Sequence, residues 1–305
     1  MTKKTQNILI VRNDKIGDFT LILPAVASLK KNIPNSKVVC LVSKNVEELA
    51  QQCEFIDEVI VDKKIKDLYV QLKEYKFDMA ISFFSTFRIG YLLKKLNIPL
   101  RLAPKTKLAQ IFYNHKFYQK RSESKKPEYE YNIDLIYEAF KIMNISNIEE
   151  MSLGPYLTYD YEMAAKNRIN FISEYNLNPD KKIIFLHPGT GGSSKGLSLE
   201  DFGNICRGLR NFDNYNFLVH CSKEEEQIAK NLKISVDSEV TIRVIEPKKS
   251  ILHMINNISS CDIFIAGSTG PLHIAGALNK KTIGFYPKKK SSTSSLWGQQ
   301  SGISG

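Results

Sequence analysis

An alternation constrains this chain more than any other feature: short β-branched, apolar runs are separated by segments whose apolar residues recur at helical spacing. Residues 8–11, 38–42, 58–61 and 79–83 read as strands, with amphipathic stretches at 24–31 and 46–52 between them. That pattern predicts βαβ units on a parallel sheet. It then repeats, with strands at 183–186, 217–220, 241–245, 263–266 and 282–285 and helical patterns at 199–209, 223–232 and 251–259. Two Rossmann-like α/β halves are therefore expected. A helix over 129–143 lies between them, and the linker falls in SLGPYLTY, residues 152–159, which carries adjacent Gly and Pro. The expected domains are 1–158 and 159–305.

At 305 residues, 43% hydrophobic and 25% charged, the chain is long enough for two ordinary cores. Its longest N-terminal apolar stretch, 19–29, is broken by Thr20 and Pro24 and falls well short of the roughly 20 residues of a membrane span. The start lacks a signal-peptide pattern, so a cytoplasmic protein is expected. Its five cysteines are widely spaced with no C-x-x-C pair, which predicts reduced, mostly buried thiols.

The net charge of +11 suits an anionic partner, though a solvated lysine-rich surface accounts for it equally well. Eleven lysines and arginines against one acid, Glu123, fall within residues 88–126, interleaved with Phe112, Tyr113, Phe117 and Tyr118. This basic stretch suits an anionic substrate or a lipid headgroup surface. Nucleic acid ranks lower, because no helix-turn-helix, RNA-recognition or zinc-finger pattern accompanies the charge.

In open parallel sheets, ligands sit beyond the carboxyl ends of the strands. The first strand ends in RNDKIGD, which is neither G-x-G-x-x-G nor a P-loop, so nicotinamide and flavin sites are unsupported and no cofactor is expected. The first strand of the second half ends in HPGTGGSSK: three glycines, hydroxyls including Thr190, and Lys195 make a phosphate cradle. Ser198 reads as the N-cap of the helix that follows. The fourth strand of that half ends in GSTGPLH, where Ser268 or Thr269 caps a helix with Pro271 and His273 in its first turn, a ready anion site. Glu246 lies at a strand end where it could reach a ribose hydroxyl. No D-x-D or His/carboxylate cluster points to a metal.

The segments ILIVRNDKIGDFTLILPAVASLKKNIPNSKV, LHPGTGGSSKGLSLEDF and GSTGPLHIAGALNKKTIGFY resemble, in order and spacing, glycosyltransferase family 9, the ADP-heptose:lipopolysaccharide heptosyltransferases and their relatives. The resemblance implies a GT-B fold, two Rossmann-like domains facing across a cleft, the first binding acceptor and the second nucleotide sugar. It implies metal-independent, inverting transfer of a heptose or related sugar, with ADP-heptose the expected donor, onto a lipopolysaccharide core or similar surface glycan at the cytoplasmic face of the inner membrane. A monomer is expected.

Residue by residue, Asp18 matches the aspartate of the family's G-D motif, the general base that takes the acceptor proton. Gly17 would let the backbone approach the sugar, and Asp14 reads as a turn or capping residue. Lys195 matches the lysine that neutralises the departing diphosphate, aided by backbone N–H groups at Thr269 and Gly270, with Thr190, Gly191, Ser268 and His273 around the donor. Arg88, Arg101 and Lys105 are the expected acceptor contacts. Ser268 stands where many members have aspartate, and Gly196-Leu197 where an aromatic residue often follows the lysine, so the donor sugar need not be heptose. The C-terminal helix that commonly crosses back to the first domain is expected to be missing. The alternatives are another nucleotide-sugar enzyme, such as an epimerase or dehydratase, and a non-catalytic basic protein that binds anions or membrane.

Overall fold

The computed structural model describes residues 6–105, 108–123, 125–150, 154–190, 197–212, 214–236 and 240–286. The chain divides into two compact units, Met1–Tyr156 and Leu157–Gly305.

Unit 1 is a six-stranded, all-parallel sheet. In chain order it contains β1 (Asn7–Arg12), α1 (Ile16–Thr20), α2 (Leu23–Asn32), β2 (Lys37–Val42), α3 (Glu47–Ala50), β3 (Glu58–Val61), α4 (Ile65–Lys73), β4 (Met79–Ser82), α5 (Phe87–Lys95), β5 (Leu100–Pro104), β6 (His115–Phe117) and α6 (Glu128–Ile142). The strand order is β3-β2-β1-β4-β5-β6. β1 and β2 are buried along all but their first residue, as expected of parallel strands covered by helices on both faces. Leu9, Val11, Val39, Leu41, Ile89 and Leu92 centre one core cluster.

β5 and β6 lie inside the stretch that reads as a continuous basic face. Arg101 and Pro104 in β5, and the three-residue length of β6, hide both strands from a search for β-branched runs.

Unit 2 contains α7 (Tyr161–Glu174), β7 (Lys182–His187), α8 (Leu199–Arg210), β8 (Tyr215–Val219), α9 (Glu226–Val236), β9 (Ile242–Val244), α10 (Ile251–Ser259), β10 (Ile263–Gly267), α11 (Gly270–Ala277) and β11 (Lys281–Phe285). Its five parallel strands run β11-β10-β7-β8-β9. Ser198 caps α8 in a reciprocal capping box with Asp201. All five cysteines are buried and free. Among the described residues, no helix is long and apolar enough to cross a membrane.

Candidate active site

The two sheets share one topology. The first strand of each unit lies between its second and fourth, β1 between β2 and β4, and β7 between β8 and β10. Connections leave these neighbours in opposite directions and open a crevice at the carboxyl ends. The loops that the sequence marks, residues 13–18 after β1, 188–190 after β7 and 268–270 after β10, all leave strands at these two switch points.

In unit 1 the crevice is organised by Arg12, the last residue of β1, whose side chain is 5% exposed. Its Nη1 donates to the Phe83 carbonyl just beyond β4 at 3.3 Å. Its Nε pairs with Asp14 and its Nη2 with Asp18, each at 2.8 Å. One guanidinium therefore stands in ion-pair contact with both aspartates. Asp18 lies in the first turn of α1, and Lys15 occupies the N-cap position with no side-chain hydrogen bond. Asp18 is thus no cap. Its side chain, 39% exposed, is the more accessible of the two carboxylates. Gly17 precedes it inside α1.

Burial holds the Asp14 carboxyl above the ordinary carboxylate range; the Arg12 charge opposes that shift and the Asp18 charge adds to it. Asp14 also accepts the Ser43 hydroxyl on its backbone carbonyl at 2.8 Å. A second acid, Glu128 in the first turn of α6, is raised by burial, with Arg121 and Arg12 opposing and Asp18 and Asp14 reinforcing. Glu128 pairs with Arg121, which in turn donates to Gln119 Oε1 at 2.8 and 3.0 Å. Asn132 Nδ2 ties α6 to the Leu21 carbonyl at 3.0 Å. The crevice floor is a network of opposed charges with a free carboxylate face at Asp18.

In unit 2, Thr269 is the N-cap residue of α11, 7% exposed, with no partner for its hydroxyl among the described residues. Pro271 in the first turn removes one donor, which leaves the N–H groups of Gly270 and Leu272 in the first turn that Thr269 caps. A buried hydroxyl beside the N–H groups of a helix N-terminus has the chemistry that suits an anion. Ser268, half-buried, is fixed by its N–H to the Phe285 carbonyl at 3.0 Å. His273, buried, donates its backbone N–H to the Thr269 carbonyl at 3.3 Å, which closes the first turn.

At the neighbouring strand end, His187 is buried with Nδ1 2.8 Å from the His220 carbonyl and Nε2 3.8 Å from Glu225. Burial shifts His187 down, and pushes His220 down to about 3, so both rings are neutral at neutral pH. The Glu225 carboxylate accepts the Ser222 N–H and hydroxyl at 3.2 and 2.9 Å and lies directly over Gly189, where a Cβ would come within 2.1 Å of it. Any larger residue at 189 would have to displace the Glu225 carboxylate.

The profile of glycosyltransferase family 9 (heptosyltransferase) matches residues 65–305. The chain belongs to glycosyltransferase family 9. A Haemophilus influenzae protein proposed to be a glycosyltransferase is 38% identical over 298 residues, 96% of this chain and 85% of that protein. Lipooligosaccharide heptosyltransferase 2 of Campylobacter jejuni is 24% identical over 293 residues, 93% of this chain and 83% of the relative. The solved structure of Escherichia coli ADP-heptose lipopolysaccharide heptosyltransferase II superposes with a TM-score of 0.77 at 16% identity, covering 97% of this chain and 89% of the other. The fold is GT-B, and the chain is a glycosyltransferase related to the lipopolysaccharide heptosyltransferases.

The remaining expected site residues of this family 9 chain separate into groups. Gly191 and Lys195 lie outside the described residues. Thr190, half-buried, ends the described part of their loop. Glu246 is exposed beyond β9, at the edge of the sheet and two strands from β7. Arg88 reaches the carboxyl edge but is engaged by Asp62 and, at 3.1 Å, by the Lys63 carbonyl. Lys105 is exposed at the same edge, its N–H bonded to the Phe117 carbonyl at 2.7 Å. Arg101 is not brought to the crevice. It pairs with Ala80 in mid-sheet, and its guanidinium clamps the carbonyls of Phe112, at 2.8 Å, and Ile98. Among the described residues, no group of three or more His, Cys, Asp or Glu could hold a metal ion.

Sequence reasoning missed Arg12, Glu128 and Glu225. Arg12 carried a signal, a charge ending an otherwise apolar buried strand two residues before an aspartate. Glu225 carried none, because its neighbours Glu224 and Glu226 make a run of acids that reads as a solvated face.

Proposed function

We propose that this protein transfers a heptose or related sugar from a nucleoside diphosphate sugar, ADP-heptose the expected donor, to an anionic, lipid-anchored lipopolysaccharide core acceptor at the cytoplasmic face of the inner membrane. The observation that carries the reading is Asp18, a carboxylate held at a switch point by Arg12 with its other face open. The acceptor hydroxyl gives its proton to Asp18 as its oxygen attacks the anomeric carbon. The bond from that carbon to the diphosphate breaks on the opposite side, inverting the configuration through an oxocarbenium-like transition state.

The departing diphosphate carries its new charge onto the N–H groups of Gly270 and Leu272 and the Thr269 hydroxyl, with Lys195 supplying positive charge from the glycine-rich loop. Thr190, Gly191, Ser268 and His273 line the donor side. Arg88 and Lys105 suit acceptor carboxylates and phosphates, and Arg88 must first leave Asp62 to serve. The protein works as a monomer and needs no metal.

Calorimetry with ADP, UDP, GDP, CDP and ADP-heptose tests the donor half. Selective ADP binding is expected, weakened by about 1–3 kcal/mol in Thr269→Val. Asp18→Asn tests the acceptor half: donor affinity stays and transfer falls by about two to four orders of magnitude. A variant that transfers as well as the wild type removes Asp18 as the base, and a protein that binds no nucleotide ends the proposal.

A further inference from the structure

The carboxyl edge that bears Asp18 also bears a surface that sugar transfer leaves unused. α5 starts at Thr86, whose hydroxyl accepts the Ile89 N–H, and places Phe87 and Tyr91 one turn apart, 59% and 47% exposed. The 3₁₀ turn Leu108–Phe112 settles on α5 at Gly90, where a Cβ would stand 3.0 Å from the Phe112 ring. Phe112 is gripped edge-on by Phe87 and Tyr91, with ring centroids 4.7 and 6.1 Å away. Beneath it Tyr113 is buried, its hydroxyl bonded to Ser82 Oγ at 2.9 Å. From this anchored seat the same turn projects Leu108 and Ile111, 85% and 62% exposed. Four large apolar side chains on two packed elements form a continuous patch, which marks an interaction surface.

The charge around the patch selects its partner. No aspartate or glutamate lies between Asp78 and Glu123, while nine lysines and arginines do. Lys94 follows Tyr91 by three positions on α5 and Lys105 precedes Leu108 by three, both exposed. A second copy of a chain of net charge +11 would bring repulsion to such a face. Aromatic and aliphatic tips flanked by the exposed Lys94 and Lys105 match the headgroup region of an anionic bilayer, where the cations meet phosphate and the apolar tips reach the acyl boundary.

We propose that this face docks on an anionic lipid bilayer, with Phe87, Tyr91, Leu108 and Ile111 entering the headgroup–acyl boundary. The inference rests on the lipid-anchored acceptor proposed above and assigns the face of unit 1 that meets the membrane. It sets the Asp18 edge of the sheet toward the lipid that carries the acceptor, leaving the opposite edge in water.

Co-sedimentation of the full chain with phosphatidylcholine vesicles, and with equimolar phosphatidylcholine and phosphatidylglycerol vesicles, tests it. Binding is expected only to the mixed vesicles and weakens as salt rises. Leu108→Ser with Ile111→Ser lowers the partition by about tenfold or more, and Lys94→Glu by about tenfold, with unchanged thermal midpoints and unchanged affinity for ADP. Equal binding to both vesicle types, absence of binding, or full binding by both variants overturns the proposal. So does a concentration-dependent dimer that the serine variant abolishes, which would assign the patch to a second copy. ADP binding is read on the same samples: ADP binding without vesicle binding refutes the membrane face alone, and vesicle binding without ADP binding refutes the ADP-sugar donor proposed above.

Discussion

Replacing Arg12 by methionine removes the guanidinium and keeps most of the apolar stem. Arg12 and Asp14 are 2.8 Å apart with side chains 5% and 16% exposed, so their attraction acts largely out of water. At an effective dielectric near 20 such a pair is worth about 4 kcal/mol. Asp18, 39% exposed at the same distance, adds on the order of 1 kcal/mol or less after screening. The loss has a ceiling, because Asp14 can escape by taking a proton. Holding a carboxyl neutral costs about 1.4 kcal/mol for each pH unit above its pKa. Burial already raises Asp14, so the folded state binds its proton more tightly than the unfolded chain and Asp14 erodes stability as pH climbs from 3.8 through the folded value. Without Arg12, which opposes that shift, the folded value moves higher and the eroded window widens upward. Arg12→Met should therefore cost about 3 kcal/mol near pH 7 and about 1 kcal/mol near pH 5. Urea unfolding of both proteins at the two pH values measures it. A cost that does not change with pH, or one under about 1 kcal/mol near pH 7, refutes the view that Arg12 holds Asp14 ionised.

Gly90→Ala gains about 1 kcal/mol of helix propensity but sets a Cβ 3.0 Å from Phe112 and 3.2 Å from buried Tyr113, which is pinned to Ser82. Overpacking of about 1–3 kcal/mol outweighs the gain, and denaturant unfolding should show a net loss near 1 kcal/mol; a stabilised variant would mean that the 3₁₀ turn is loosely seated. Gly189→Ala drives a Cβ into the Glu225 carboxylate and breaks its cap on Ser222. Stability should fall by about 1 kcal/mol and ADP affinity with it, and calorimetry that finds donor binding unaltered would separate Glu225 from the donor loop.

How legible each part was follows from what buries it. β1, β2 and β7 are covered on both faces, so their composition is nearly all apolar and each was evident from sequence. β5 and β6 sit toward one edge of the sheet, where arginine, proline and lysine are tolerated, and their signal merged into the basic stretch. Asp18 was singled out because Gly17 and Asp18 after a buried strand match the family's G-D motif, and the structure sets it against Arg12. Arg101 was misjudged for the opposite reason: charge was read as surface, whereas its guanidinium replaces missing backbone partners for Phe112 and Ile98. Sequence shows that a cation is present; what it pairs with is decided by chain that returns later.

Arg12 makes the same point about the site itself. A general base needs a negative charge at neutral pH, an open face and a fixed direction, and no single residue supplies all three. Asp18 takes its exposure from the first turn of α1, and its direction from Arg12, which is held in place by Phe83 at the end of a strand that pairs with β1 only after intervening chain has formed two others. Asp14 competes for the same guanidinium, and its burial favours the protonated form of its carboxyl. A proton on Asp14 releases Nε of Arg12 from its second partner and leaves the full guanidinium charge to Asp18. The pair is thus graded by burial: the inner acid sets the charge felt by the outer one, which in the proposed transfer is left to meet the acceptor hydroxyl.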